Sequence, residues 1–456
     1  MLLSATLVLA FKLCFTSGMR NGPETLQFNR LVKEFREVFS KIPDPRQQNR
    51  PSYPLPDVVT AGLAMMFWQD PGVLPFQQRL QDQAGSSNLK SMFSVDKVPK
   101  ETQFRDLLDS VDPEYILSAL RRGISLLSVT RKWLDFKALD GRYLVGLDAT
   151  GYFHSEKIHC DRCLEKHHED GRVEYYHQVL VASLIHPITG QSFPLCAEEI
   201  RREDGQTKQD CEINAAYRLL PYLSKRYCHL DMVLLADGLY SKTPMIELAR
   251  SLKMNFIFVA KPSDHKHLTE QLTGLRLSGE VSTIEKTNEQ KKVLQKLEFA
   301  KEVPVFAKND LICNWVSISE GAKGKKAGYK NTWLTDLKPT SKNVAEIAAA
   351  GRHRWSIENQ TFNALKNQGY NFEHNFGHGK KNLRFNFLLL NLLAFLMHQL
   401  LEIGDQLYAQ SKTWKKTLKE FVEHVRWAVR LALWPDWTTL LNSYLGRGPK
   451  LRLDTG

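Results

Sequence analysis

Apolar positions along the chain fall into a helical period, then a strand period, then a helical one again. From about Gly22 to Leu139 the spacing predicts helices around Thr25 to Ser40, Pro56 to Trp68 and Glu101 to Leu108, enough for a small bundle. Pro43, Pro45, Pro51, Pro54 and Pro56 mark a linker between two helical patches. From about Asp140 the pattern turns α/β. Strands are predicted over Tyr143 to Asp148, His177 to Ile185 and Gln191 to Leu195, with Thr189-Gly190 as a turn. A helix from Cys211 to Tyr222, a buried strand from Met232 to Ala236, a helix from Thr243 or Pro244 and a strand from Phe256 to Ala260 follow. A lysine-rich stretch to about Tyr329 carries strand-like pieces, LQKLEFA and LICNWVSIS, before NTWLTDL returns to the core.

The stretch Asn343 to Tyr370 reads as one long amphipathic helix. Val344, Ala348, Gly351, Trp355, Phe362 and Leu365 share its inward face. Glu358 borders that face, with Arg354 four residues before it and Phe362 four after, so it needs a partner or a metal. The plainer reading is an Arg354 and Glu358 ion pair at the rim of a core. Phe385 to Leu401 is apolar, but it is short for a membrane span and carries Asn386, Asn391 and His398, which fits a buried core helix. The first residues, Leu2 to Phe11, imitate a secretory signal without its basic start or cleavage site.

Two more acids stand at strand ends. The strand of GRYLVGLDATGYFH delivers Asp148, and the run Met232 to Ala236 ends at Asp237. Chemistry gathers where α/β strands end. Three carboxylates from two strands and a helix could converge on hard divalent cations, the layout of a two-metal phosphoryl-transfer site.

The segments LVGLDATGY, LLADGLYS and RHRWSIENQTFNALKNQGYNFEHNFGHG resemble the three acidic motifs of the DDE transposases encoded by bacterial insertion sequences, in the group with an RNase H-like core. The resemblance covers about residues 140 to 400, and IPDPR and YPLPDVVTAGLAMMFWQDP resemble the amino-terminal part of the same family. Asp237 follows Asp148 by 89 residues and Glu358 follows Asp237 by 121, which fits an insertion before the catalytic helix. Members of this group often carry Tyr seven and Arg four residues before the Glu, and Lys seven after it. Arg354 matches. Gly351 stands at the Tyr position and Leu365 at the Lys position, with the Lys role placed on Lys366.

The resemblance implies an α/β fold: an RNase H-like mixed sheet flanked by helices, with a helical N-terminal region and a β-rich insertion before the catalytic Glu helix. The corresponding segments are 1–139, for binding DNA ends, 140–261 and 331–402 for the core, 262–330 for the insertion and 403–456 for a C-terminal helical region. It implies Asp148, Asp237 and Glu358 as catalytic residues and ligands of two Mg²⁺, or Mn²⁺. Double-stranded DNA, both transposon ends and target, is the implied partner, and a homodimer the implied state in the DNA complex. Arg354, Lys366, His353, Lys380 and Lys381 are the candidate DNA-binding side chains.

A formal charge of +12 suits a polyanionic partner, and spread over the whole chain it suits nucleic acid better than a membrane. The GxGxxG and P-loop patterns are absent, which argues against a nucleotide-triphosphate site. Seven cysteines, an odd count, fit a reducing cytoplasm. In FHSEKIHCDRCLEKHHED, Cys160 and Cys163 have C-x2-C spacing and His167 and His168 follow, a candidate structural zinc set with His154, His159 and His177 nearby; a solvated polar loop is the alternative. Asp204, Asp210 and Glu212 are discounted, Asp210 as a helix N-cap, and Lys323, Lys325 and Lys326 read as a solvated loop. Two other functions stay open: a catalytically inactive DNA-binding descendant of a transposase, and a zinc-dependent hydrolase centred on Cys160 to His168.

Overall fold

A computed structural model describes residues 23–44, 46, 52–202, 211–288, 293–307, 310–321 and 328–447. The expectations for Leu2 to Phe11, Pro45, Pro51, Asp204, Asp210, Lys323, Lys325 and Lys326 lie outside the described residues. The chain divides into two compact units, residues 136–364 and residues 1–135 with 365–456.

The second of these is helical. Its centre is the helix Leu383–Gly404, which packs against Glu101–Ser110, Leu55–Phe67 and Pro113–Ser128. This helix is long and apolar enough to cross a membrane, yet most of it is buried among its neighbours. The amide nitrogens of its two buried asparagines are satisfied inside the core, while their Oδ1 atoms find no partner there. Asn386 Nδ2 donates to the Leu108 and Val111 carbonyls, and Asn391 Nδ2 to that of Tyr370, each at 2.8 Å. Phe28, Phe67, Phe93 and Trp437 interlock beside it, Phe28 stacked on Trp437 at 4.5 Å between ring centroids.

Residues 136–364 are built on one mixed sheet. Its strands are β1 (Lys137–Ala138), β2 (Arg142–Ser155), β3 (Leu164–His167), β4 (Val173–Ile185), β5 (Ser192–Ile200), β6 (Met232–Ala236), β7 (Asn255–Val259), β8 (Ser282–Asn288), β9 (Val293–Pro304), β10 (Ile312–Gly321) and β11 (Tyr329–Thr335). The order is β3-β4-β2-β6-β7-β11-β10-β9-β8, with β1 on β2 and β5 on β4. The pairs β2 with β4 and β4 with β5 are antiparallel, whereas β2, β6 and β7 are parallel. The parallel pairs need crossovers. Glu212–Arg226 precedes β6 and Thr243–Ser251 joins β6 to β7. β6 is buried throughout, as a parallel strand covered on both faces must be.

The lysine-rich stretch contributes the helix Lys266–Leu277 and then β8 to β11, an antiparallel run continuous with the main sheet. Trp333 of β11 pairs with Val259 of β7, so this stretch extends the sheet from the β7 edge. Val344, Ile347 and Ala348 of the following helix pack on Leu144, Val233, Leu235, Ile257 and Trp333. Burying each larger apolar side chain contributes roughly 1.5–3 kcal/mol.

That helix is less regular than its sequence period. Val344–Arg352 is α-helical, a turn follows at His353, and Ile357–Phe362 forms a π-turn before Asn363–Asn367 resumes the α-helix. Val344, Ala348, Gly351, Phe362 and Leu365 are buried as expected, but Trp355 is 48% exposed. Around His353 the backbone bonds span three residues, His353 N to the Ala350 carbonyl and Ser356 N to that of His353, and this tightened turn carries Trp355 off the inward face.

Candidate active site

Asp148 and Asp237 are neighbours because of strand register. β2 and β6 pair in parallel from Tyr143↔Met232 to Gly146↔Leu235. Asp148 lies two residues beyond that last pair on β2, and Asp237 two beyond it on the partner strand, just past the end of β6. Period-2 alternation puts Asp148 on the same face of β2 as Gly146. The π-turn crosses that face: a Cβ on Gly146 would lie 3.5 Å from Ile357 Cβ. The missing side chain lets the helix approach, and Glu358 is the next residue. Thr361 Oγ1 donates to Ser192 Oγ of β5 at 2.8 Å, both buried, which fixes the turn on the sheet.

The electrostatics place the three acids together. Burial pushes the Asp148 carboxyl up to about 6; Arg354 works against the rise, while the Glu358 and Asp237 charges add to it. Arg354 Nη1 lies 3.9 Å from Asp148 Oδ2, and the guanidinium sits over the Trp355 ring at 4.5 Å. Asp237 is held by its own turn, its Oδ1 accepting from Leu239 N at 2.8 Å.

A fourth carboxylate belongs to the group. Glu212 opens the helix Glu212–Arg226, and burial pushes it up to about 7, with the Tyr240 hydroxyl and Arg354 opposing the shift and Asp237 and Asp148 adding to it. Tyr240 is fully buried, and its phenol is raised by that burial first and by Glu212 next. Its hydroxyl stands at the Glu212 carboxyl without closing a well-formed hydrogen bond. In sequence Glu212 reads as part of a capping segment and carries no sign of its own. The signal that marks it is an acid in the first turn of the crossover helix that leads to the Asp237 strand, where Cys211 at the N-cap makes no side-chain cap.

The donors are all hard oxygens with Arg354 as the cation beside them, and two of the acids are raised by burial first and by neighbouring carboxylate charges after it. Such a set fits divalent cations of the Mg²⁺ or Mn²⁺ class.

The remaining candidates make contacts of their own. His353 Nδ1 lies 3.2 Å from Ser356 Oγ beside the Gly190 turn, and burial lowers its pKa. Lys366 pairs with Glu373 at 2.9 Å within the helical unit. Lys380 and Lys381 are exposed there, their backbone N–H groups donating to Asp109. His167 and His168 do not join the cysteines: His168 Nε2 lies 3.2 Å from Glu174 Oε2, and His167 Nε2 lies 3.4 Å from Glu165 Oε2. His177 takes their place. Cys160 and Cys163 Sγ lie 3.5 and 3.3 Å from its Nε2.

No family model and no curated protein matches the chain. Among solved structures, it is similar to the piggyBac transposase synaptic complex with hairpin DNA, at 12% identity and a TM-score of 0.40, over 96% of this chain and 84% of that one. A likeness at this level does not decide function.

Proposed function

We propose that the chain is a DNA transposase of the DDE type, cutting at transposon ends and joining them to target DNA. The observation that carries this reading is that Asp148, inside β2, Asp237, just past β6, and Glu358, on the π-turn, are remote in sequence yet close enough for the Glu358 and Asp237 charges to act on the Asp148 carboxyl. The sheet supports it too. The five strands β5-β4-β2-β6-β7 have the antiparallel and parallel pattern expected of an RNase H-like core. The acidic motifs and the +12 charge point to a bacterial insertion-sequence enzyme acting on DNA.

Asp148, Asp237 and Glu358 would hold the divalent ions, with Glu212 at the rim. Bound there, the ions would lower the pKa of a water or a 3′-hydroxyl and stabilise the leaving oxygen. Arg354 restrains Asp148 and offers a cation to a phosphate entering the site. Burial of Asp148 and Arg354 keeps their field strong by limiting water. Transposon ends and target duplex are the partners, with two protomers bridging two ends.

The second reading, a non-catalytic DNA-binding descendant, is favoured by two positions. Gly351 stands where the family places Tyr, and a Cβ there would lie 2.6 Å from the Trp333 ring. Leu365, at the Lys position, is fully buried. Purified protein, an end-containing duplex and Mg²⁺ or Mn²⁺ separate the two. Cleavage that disappears in Asp148→Asn while DNA binding persists supports the enzyme; binding without cutting under either ion supports the descendant.

A further inference from the structure

We propose that Cys160, Cys163 and His177 bind a structural zinc ion that ties the Cys160–Cys163 turn to β4, opposite the far end of the strand that carries Asp148. Three distances define the site. Cys160 Sγ and Cys163 Sγ are 3.7 Å apart, and they lie 3.5 and 3.3 Å from His177 Nε2. A tetrahedral zinc with bonds of about 2.3 Å to sulfur and about 2.0 Å to nitrogen sets ligand-to-ligand edges of about 3.8 Å and about 3.5 Å. The trio is already spaced as three corners of that tetrahedron.

A disulfide does not fit the triangle. It brings its sulfurs to about 2.05 Å, far closer than this pair. The backbone is arranged for charged sulfur. Cys160 N points at Cys163 Sγ at 3.3 Å, and Cys163 N donates to the Cys160 carbonyl at 3.0 Å, so the C-x2-C turn is closed around the ligands. Cys163 and His177 are 2% and 1% exposed.

The position gives the ion its role. His177 pairs with Phe153 of β2, where the β2 and β4 register shifts between Gly151 and Phe153. Asp148 lies five residues earlier on β2. The connection between β2 and β4 is polar, its Ile158 half-exposed, and a metal replaces the apolar core it lacks. Thiolate and imidazole ligands select zinc over magnesium, so this site and the carboxylate group take different ions. The inference does not depend on the transposase reading.

The full chain, purified without chelators, tests it. Elemental analysis should find zinc equimolar with protein. X-ray absorption at the zinc edge should give two sulfur ligands, with nitrogen or oxygen completing the shell. Zinc should vanish in the Cys160→Ser, Cys163→Ser double variant and persist in the His167→Ala, His168→Ala double variant. Cobalt added to metal-stripped wild-type protein should produce a thiolate charge-transfer band, a measurement that needs no variant to fold. Wild-type protein with neither zinc nor that band overturns the proposal, as does a zinc shell without sulfur. Loss of zinc in the histidine pair with retention in the cysteine pair would overturn it equally.

Discussion

Arg354 reaches Asp148 across the gap between the π-turn and the central strand, its Nη1 at 3.9 Å from Asp148 Oδ2. At that separation the pair attracts without a direct hydrogen bond, so the guanidinium restrains the carboxylate and keeps donors for another anion.

This division of labour predicts the behaviour of Arg354→Gln. Cleavage of an end-containing duplex should fall by about a hundredfold, while duplex affinity changes far less, because a preorganised donor at a phosphate matters mainly in the transition state. Arg354→Lys should recover part of the rate at most, since an ammonium lacks the planar fork. Single-turnover cleavage and binding assays on the same duplex check both.

Glu212→Gln should separate stability from function. A carboxyl raised to about 7 takes up a proton more readily in the folded chain than in the unfolded one. Metal-free stability contributed by Glu212 is therefore lost as pH rises from about 4.5 towards 7. Asp148, raised to about 6, adds a loss of the same sign. The Gln variant should melt at or above the wild-type temperature near pH 8 without divalent ions, and lose the extra stabilisation that Mg²⁺ gives wild type. Thermal melts with and without Mg²⁺ are the measurement. A Gln variant that gains as much from Mg²⁺ as wild type would remove Glu212 from the metal set.

His398 gives the opposite pH dependence. Its Nε2–H donates to the Phe67 carbonyl at 3.0 Å and its Nδ1 accepts from the Tyr408 hydroxyl at 2.6 Å, which fixes a neutral tautomer. Burial pushes its pKa down to about 3. The unfolded chain takes up a proton below about 6.5 and the folded chain does not, so stability is present above that pH and lost as pH falls towards 3. The limiting slope is about 1.4 kcal/mol per pH unit. Urea unfolding at pH 7 and pH 5 should show this slope in wild type and a shallower one in His398→Gln.

Gly351 tests the packing of the helix that carries Glu358. A methyl group there meets the Trp333 ring, itself fully buried, so neither side can give way cheaply. Gly351→Ala should destabilise by about 1–3 kcal/mol despite its better helix propensity. Denaturant midpoints check the magnitude, and a neutral or stabilising result would mean that the helix can shift on the sheet.

Much of this was legible in the order of residues. Asp148 and Asp237 each end an apolar run; Asp237 does stand just past the end of β6, but β2 continues to Ser155, so Asp148 lies inside its strand and not at its end, because β4 goes on pairing with β2 beyond the acid. Glu358 announced itself through the helical period around it. The apolar helix Leu383–Gly404 was readable as core because asparagines and a histidine interrupt it.

Tertiary structure decided what pairing and turn geometry control. Trp355 turns outward because the tightened turn at His353 breaks the period that placed it inward. Glu212 joins the acids only because its crossover helix starts beside the Asp237 strand end, a relation no local pattern encodes. His177, and not His167 or His168, meets the cysteines because β4 pairs with β2 at Phe153↔His177. Spacing reveals ligands on one turn of chain. Residues brought together by strand register are set by hydrogen bonds between segments far apart in sequence, and these become visible only when the sheet has formed.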